Sequence, residues 1–274
     1  MRLTIITVNL NNREGLQRTV DSVIGQTFKD YEWIVIDGGS TDGSRELIEQ
    51  YADRFAYWCS EPDGGIYNAM NKGIAHAKGE WLLFLNSGDW LHNDHVLECV
   101  FSEERHADIL YGNVFRHGVS CESIPRSKVM PEQISMQYLY ENVLCHQSTF
   151  YKRVIFDGHT YDETYRICAD WVFTIDMMLK GRCFEYLPFH ISHIVEDGIS
   201  AKMEDKLFEE RQRAWRTHVP QYIQSDIQTL ESYVQRDKEL ESHKLYRLIM
   251  KSARMKIRIA RKAVGFIERI RTEK

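Results

Sequence analysis

Within the first 89 residues, three short apolar runs, each long enough for a buried strand, lead into aspartate and glycine. Ile34-Val35-Ile36 passes into Asp37-Gly38-Gly39-Ser40-Thr41-Asp42-Gly43. The run from Phe55 to Ser60 leads to Glu61-Pro62-Asp63-Gly64-Gly65, and Phe84-Leu85 leads to Asn86-Ser87-Gly88-Asp89. A helical pattern follows the first two. Strands alternating with helices in this way build a mostly parallel, doubly wound α/β sheet. The carboxyl ends of such strands open on one crevice, so these carboxylates are expected at a single ligand site. Acidic groups that converge where glycines let a ligand approach the backbone suit a metal-bridged phosphate.

The rest of the chain extends this pattern. Leu3 to Val8 reads as a buried strand and Arg13 to Gln26 as a helix with Leu16, Val20, Val23 and Ile24 on one face. Strands are expected at Tyr31–Asp37, Phe55–Ser60, Trp81–Asn86, Ile109–Phe115, His146–Tyr151 and Cys183–Leu187. Helices are expected at Ser44–Tyr51, Tyr67–Ala77, near His95–Arg105 and at Asp170–Lys180. Gly118 to Asn142 carries Pro125 and Pro131 without a clean period and reads as a loop or lid. Beyond Ala201 the composition is helical, interrupted at Pro220. The 274 residues suffice for one large α/β domain over 1–200 and a helical extension over 201–274.

Charge narrows the partners. From Lys244 onward there are eleven basic and two acidic residues, a net +9, whereas residues 1–243 carry −14. A body of that sign repels polyanions, so nucleic acid is not an expected partner, while the tail favours an anionic surface. The tail also sets Leu245, Leu248, Ser252, Met255, Ile259, Phe266 and Ile270 near one helical face, as in a helix lying in a membrane interface. The same face could instead pack on the body or form a homodimer. The N-terminus enters strand residues at once and shows no signal-peptide pattern, and the six cysteines are scattered without a C-x-x-C pair. A reducing, cytoplasmic setting is therefore expected.

The motifs separate further. Gly38 to Ser44 is close to a phosphate loop but lacks the Lys-Ser/Thr ending, and no G-x-G-x-x-G occurs, which disfavours NTPases and dinucleotide enzymes. Asp37, at a strand end, is placed to accept hydrogen bonds from a base or ribose. Asp42 is expected to cap the following helix. Asp63 and Gly64, ahead of a helix carrying Lys72, could meet a diphosphate at that helix's positive end. Asp89 suits a hard dication such as Mg²⁺ or Mn²⁺, which takes one or two carboxylates beside substrate phosphates.

Together these residues carry a resemblance. Leu3 to Asp89 resembles the nucleotide-binding half of the inverting family 2 glycosyltransferases of GT-A fold, including bacterial polysaccharide and colanic-acid-type enzymes. His146-Gln147-Ser148-Thr149-Phe150 resembles the family's acceptor-side strand, and Ala169-Asp170-Trp171 its motif with the catalytic base. The resemblance covers about residues 1–200. It implies nucleotide-sugar binding over about 1–115 through Thr7, Asn9, Asp37, Asp63, Gly64, Lys72, Asn86 and Ser87. It implies an acceptor side over about 116–200 with His146, Gln147 and Trp171, and Asp170 as base. Asp89 would hold the metal, with His190 or His193 as an additional ligand. Asn86 and Gly88 depart from the pattern, standing where many members have aspartates.

The resulting expectation is a cytoplasmic enzyme, peripheral on the inner membrane, moving a sugar from a UDP-sugar or similar donor to a hydroxyl of a glycan or lipid-linked glycan. One rival is a nucleotidyltransferase, which should carry a basic Gly-rich loop where this chain has Asn9-Leu10-Asn11-Asn12-Arg13. The other is a degenerate nucleotide-sugar-binding protein.

Overall fold

A computed structural model describes residues 1–118, 124–196, 198 and 203–242. The basic segment from Lys244 lies outside the described residues. The chain divides into two compact units, Met1–Val219 and Pro220–Lys274. In the first, β1 (Leu3–Asn9) leads to α1 (Arg13–Ile24), β2 (Tyr31–Asp37), α2 (Ser44–Gln50), β3 (Tyr57–Ser60), α3 (Ile66–His76) and β4 (Trp81–Phe84). Then come β5 (Trp90–Leu91), α4 (Val96–Val100), β6 (Ile109–His117), β7 (Arg126–Lys128), α5 (Met136–Glu141), β8 (Thr149–Lys152), α6 (Ala169–Leu179), β9 (Phe184–Val195) and α7 (Glu204–His218). The described part of the second unit is one helix, α8 (Gln221–Ser242).

Among the described residues one sheet runs in the order β3-β2-β1-β4-β8-β6-β9-β5, with β7 added to β6. The quartet β3-β2-β1-β4 is parallel. β8 enters antiparallel between β4 and β6, and β9 runs parallel to β6. All of β1 is buried, because helices cover both faces of a parallel interior strand and every side chain meets the core. Leu3, Ile5, Leu16, Val20, Val23, Trp33, Val35, Leu83 and Phe150 belong to one cluster beneath the α1 side.

This topology brings the carboxyl ends of β1, β2, β4, β6 and β9 and the amino end of β8 to a single rim. The expected strands and helices of the first half are present, with shifted ends. β4 stops at Phe84, and the segment expected as a strand from His146 opens as a 3₁₀ turn, His146–Ser148, before β8. The segment read as a loop or lid contains β7 and α5. β9 is more than twice the expected length and crosses register shifts opposite Gly112–Val114.

Candidate active site

At the end of β2 the Asp37 carboxylate is fully buried and accepts four hydrogen bonds. Oδ1 receives Asn9 Nδ2 (2.7 Å) and Ser40 Oγ (2.5 Å); Oδ2 receives Ser40 N (2.9 Å) and Ser60 Oγ (2.7 Å). Burial raises its pKa, but these four donors outweigh burial and hold it below the ordinary carboxylate value. Asn9, on the neighbouring strand end, is 4% exposed, and its Oδ1 has no partner among the described residues. Thr7, expected at the nucleotide, is instead a core residue: its hydroxyl, at 0% exposure, accepts the Trp33 indole N–H at 3.0 Å. Asp42, just before the Gly43 N-cap of α2, takes the N–H of the first residue of two helices, Arg13 of α1 and Ser44 of α2.

Asp63 reaches across to Gly38, where a Cβ would stand 2.9 Å from its Oδ2, so only glycine admits this approach. The glycine N–H groups ahead of α3 are already engaged: Gly64 N donates to Asn68 Oδ1 and Gly65 N to Asp63 Oδ1. Lys72 is paired with Glu61 at 2.8 Å on the same rim.

The Asn86–Asp89 turn follows β4. Gly88 has φ +102°, and a Cβ there would lie 3.0 Å from Asn12 Nδ2, which itself donates to the Ser87 carbonyl. That conformation explains a glycine where the resembling family has a carboxylate. Asp89 is 7% exposed; its Oδ2 accepts Gln147 Nε2 at 2.8 Å and its Oδ1 accepts Val195 N at 3.3 Å. Asn86 Nδ2 lies 3.0 Å from His146 Nε2, while Asn86 Oδ1 is buried without a partner among the described residues.

Asp170 opens α6. His146 Nδ1 stands 2.8 Å from its Oδ2, and its Oδ1 accepts Trp171 N (2.9 Å) and the Tyr67 hydroxyl (2.8 Å). That hydroxyl also lies 2.9 Å from the Ile167 carbonyl. Burial raises the Asp170 pKa, yet His146, Tyr67 and the Trp171 N–H together bring it below the ordinary carboxylate value. Burial and the Asp170 charge keep Tyr67 protonated. Trp171, expected on the acceptor side, is buried, and its indole N–H donates to the carbonyls of Leu139 and Asn142 at the end of α5. It packs the wall rather than presenting a surface to a ligand. From α7, Glu210 accepts the N–H groups of Arg166 and Ile167, and Arg211 donates to the Leu139 and Tyr140 carbonyls.

Sequence reasoning passed over Tyr67, Ser40, Ser60 and Glu210. Tyr67 opens the expected helix Tyr67–Ala77, but only the fold brings it to its partner Asp170, 103 positions on. The two histidines expected near the metal turn elsewhere. His193 Nε2 is 2.9 Å from His92 Nδ1, and its Nδ1 is 2.8 Å from His117 Nε2. Burial first, then the charges of His92, His117 and His190, lower the His193 pKa to about 4. His190 bonds Ser127 and stacks on Phe115.

No three His, Cys, Asp or Glu side chains among the described residues come together to hold a metal. What the rim offers is the Asp89 carboxylate and the orphaned Asn86 carbonyl, hard oxygen donors that fit Mg²⁺ or Mn²⁺ sharing its remaining positions with phosphate and water.

The model of glycosyl transferase family 2 matches residues 4–160, more than half of the chain. The chain belongs to glycosyl transferase family 2. This family 2 member is 31% identical over 229 residues to the PGL/p-HBAD biosynthesis glycosyltransferase of Mycobacterium tuberculosis, covering 76% of this chain and 82% of the other. It is also similar to glycosyltransferase GlyA of Streptococcus pneumoniae, 26% identical over 201 residues, 72% of this chain and 27% of that one. Among solved structures, residues 1–349 of TarS from S. aureus in complex with UDP-GlcNAc align with a TM-score of 0.64 at 20% identity, over 82% of this chain and 70% of TarS. The mannosyltransferase PcManGT of Pyrobaculum calidifontis, in complex with GDP-Man and Mn²⁺, aligns with a TM-score of 0.59 at 16% identity, over 90% and 82% of the two chains. The fold of this family 2 member is GT-A. Its family match ends ten residues before Asp170.

Proposed function

We propose that this family 2 member is an inverting transferase that moves a sugar from a nucleotide-sugar, a UDP-sugar, to a hydroxyl of a glycan or lipid-linked glycan in cell-surface polysaccharide assembly. The observation that carries the reading is the pair of carboxylates, buried Asp89 and part-buried Asp170, held by successive residues of one turn, Gln147 and His146. The relatives' roles in glycosyl transfer and the nucleotide-sugars bound by structural neighbours support it.

In this reading Asp170 takes the proton of the acceptor hydroxyl as that oxygen attacks the anomeric carbon. The new C–O bond forms opposite the bond to the diphosphate, whose electron pair leaves with the nucleotide, so the configuration inverts. Three hydrogen bonds fix the carboxylate and leave it ionised at neutral pH. Asp37, with Asn9, lies where the nucleoside would bind, and Asp63, Gly64, Lys72 and Ser87 line the path of the diphosphate. Asp89 and Asn86 would hold Mg²⁺ or Mn²⁺, which neutralises the leaving diphosphate when bound. No helix of the described residues is long and apolar enough to cross a membrane, and the basic tail is assigned to an anionic membrane surface.

Incubation with a panel of nucleotide-sugars, with and without Mn²⁺, tests this reading. Slow release of nucleoside diphosphate from one donor, and a product of inverted anomeric configuration once an acceptor is added, are expected. Release of pyrophosphate from a nucleoside triphosphate and a sugar phosphate would make the chain a nucleotidyltransferase, and no release from any donor would make it a binding protein.

A further inference from the structure

The turn His146–Ser148 joins the two halves of the rim, and His146 does so with both ring nitrogens. Nδ1 faces a carboxylate oxygen at 2.8 Å, a position that a ring nitrogen occupies as a proton donor. Nε2, 3.0 Å from the Asn86 amide nitrogen, then accepts. The result is one directed chain, Asn86 to His146 to Asp170, running from the end of β4 to the start of α6. The ring is 13% exposed and Asp170 12%, so water competes little with these bonds. Gln147, the next residue, anchors the same turn to Asp89, and the Ser148 hydroxyl pins its far end to Ser192 at 2.6 Å.

We propose that His146 is a positioning residue: it orients the Asp170 carboxylate through Nδ1–H and ties it through Nε2 to Asn86, so that the acceptor base is aligned by the donor-side loop. The inference rests on the reading of Asp170 as the base. Oδ1 of Asp170 is already occupied by Tyr67 and Trp171 N, which leaves Oδ2 to take the acceptor's proton. His146 sets the direction in which that oxygen's remaining lone pair points. A glycosyl acceptor must approach the anomeric carbon in line with the departing diphosphate. A base tied to the donor loop is held on that line.

Two substitutions split the ring into its halves. Asn places an amide N–H near the Nδ1 position, so His146→Asn keeps the bond to Asp170 and loses the tie to Asn86. Gln reaches the Nε2 position with a carbonyl oxygen, so His146→Gln keeps the tie to Asn86 and loses the bond to Asp170. With Asp170→Asn as the reference, kcat and donor KM are measured for each, together with the affinity for UDP and the melting temperature. His146→Gln should lose about 10²-fold in kcat, the scale of a misplaced reacting group, with donor KM and UDP affinity unchanged. His146→Asn should keep most of kcat while donor KM rises. Added imidazole should restore part of kcat to His146→Ala and none to Asp170→Asn.

Equal losses in the Asn and Gln variants, or wild-type kcat in the Gln variant, overturn the positioning role. If both of those variants fold poorly, failure of imidazole to rescue His146→Ala overturns it. Wild-type turnover in Asp170→Asn overturns the base itself. An inactive Asp170→Asn beside fully active His146 variants removes only the present inference.

Discussion

Asp37 offers a test in which stability and ligand binding come apart. Replacement by Ala removes an acceptor of four hydrogen bonds at a site with no exposure. The Ser40 and Ser60 hydroxyls are part-exposed and can turn to water. The Ser40 N–H cannot turn, and the Asn9 amide keeps only its 3.2 Å bond to Ser40 Oγ. Two stranded donors at about 1–3 kcal/mol each, discounted for that residual bond, give a loss of about 2–4 kcal/mol. A unit the size of Met1–Val219 shifts by about 2–4 °C per kcal/mol, so the melting temperature should fall by about 4–16 °C.

Asp37→Asn should behave differently. If Asn9 flips, its unpartnered Oδ1 can receive one new amide N–H while the Ser40 hydroxyl turns to receive the other, so two bonds are reversed and only the 3.2 Å bond from Asn9 to Ser40 Oγ is given up. The loss should stay under about 2 kcal/mol, because neutral hydrogen bonds replace charged ones while less charge is buried. The pH dependence follows from the lowered pKa. Asp37 contributes stability above its unfolded value of about 4, and that contribution disappears as pH falls through the folded value. The gap between wild type and Asp37→Ala should be widest near neutrality and close in acid. Scanning calorimetry measures it from about one pH unit below the ordinary carboxylate value to about four above. Equal melting temperatures for wild type and Asp37→Ala at pH 7, or an Asn variant as unstable as the Ala variant, would refute the network account. Because the Asn variant stays folded, its UDP affinity isolates the ligand role: a loss of tenfold or more, about 1.4 kcal/mol, is expected if this carboxylate accepts from base or ribose.

Other outcomes are expected elsewhere. Asp170→Asn should lower kcat by about 10²–10⁴-fold with donor affinity unchanged. The acid limb of the wild-type rate profile should fall below the ordinary carboxylate range, activity being lost as pH drops through the depressed pKa; a limb above the carboxylate range would take the base role from Asp170. Asp89→Asn should fold and bind UDP, while Mn²⁺ should no longer strengthen that binding in a calorimetric titration; retained metal dependence would move the ion elsewhere. Gly88→Ala should cost about 1–3 kcal/mol, because φ +102° strains any side chain and the new Cβ crowds Asn12, and a thermal melt reads it directly. Truncation before Lys244 should abolish binding to anionic vesicles yet spare activity on a soluble acceptor. Binding of the full chain should weaken steeply with salt, since each Lys or Arg contributes about 1 kcal/mol near such a surface. Indifference to vesicles at low salt would leave the tail as a packing or dimer helix.

The parallel half of the sheet was legible because β1, β2 and β4 are short apolar runs, and because β2, β3 and β4 lead within a few residues into aspartate and glycine, a local signal. Asp42 as a cap was legible for the same reason: the Ser44 N–H it accepts lies only two residues away. What the sequence hid is non-local. Thr7 lies on the rim side of β1 by position, yet the indole of Trp33, 26 residues on, fills its hydrogen bond. Trp171 carries an acceptor-side motif but spends its N–H on carbonyls about 30 residues earlier. The resemblance suggested His190 or His193 as a metal ligand, and only strand pairing with Trp90 showed His193 stacked on Trp90 and His92.

The two backbone N–H groups held by Glu210 have a consequence for how far the catalytic machinery extends. The family match stops at residue 160, and Asp170, the proposed base, stands in the first turn of α6, just after Arg166 and Ile167, whose amides are secured by a helix about forty residues later. If Asp170 is the base, α7 braces the segment that leads into it. A chain shortened after β9 would retain every motif and leave the segment that leads into α6 without that anchor. Relatives that differ in α7 could thus differ in rate while sharing an identical rim.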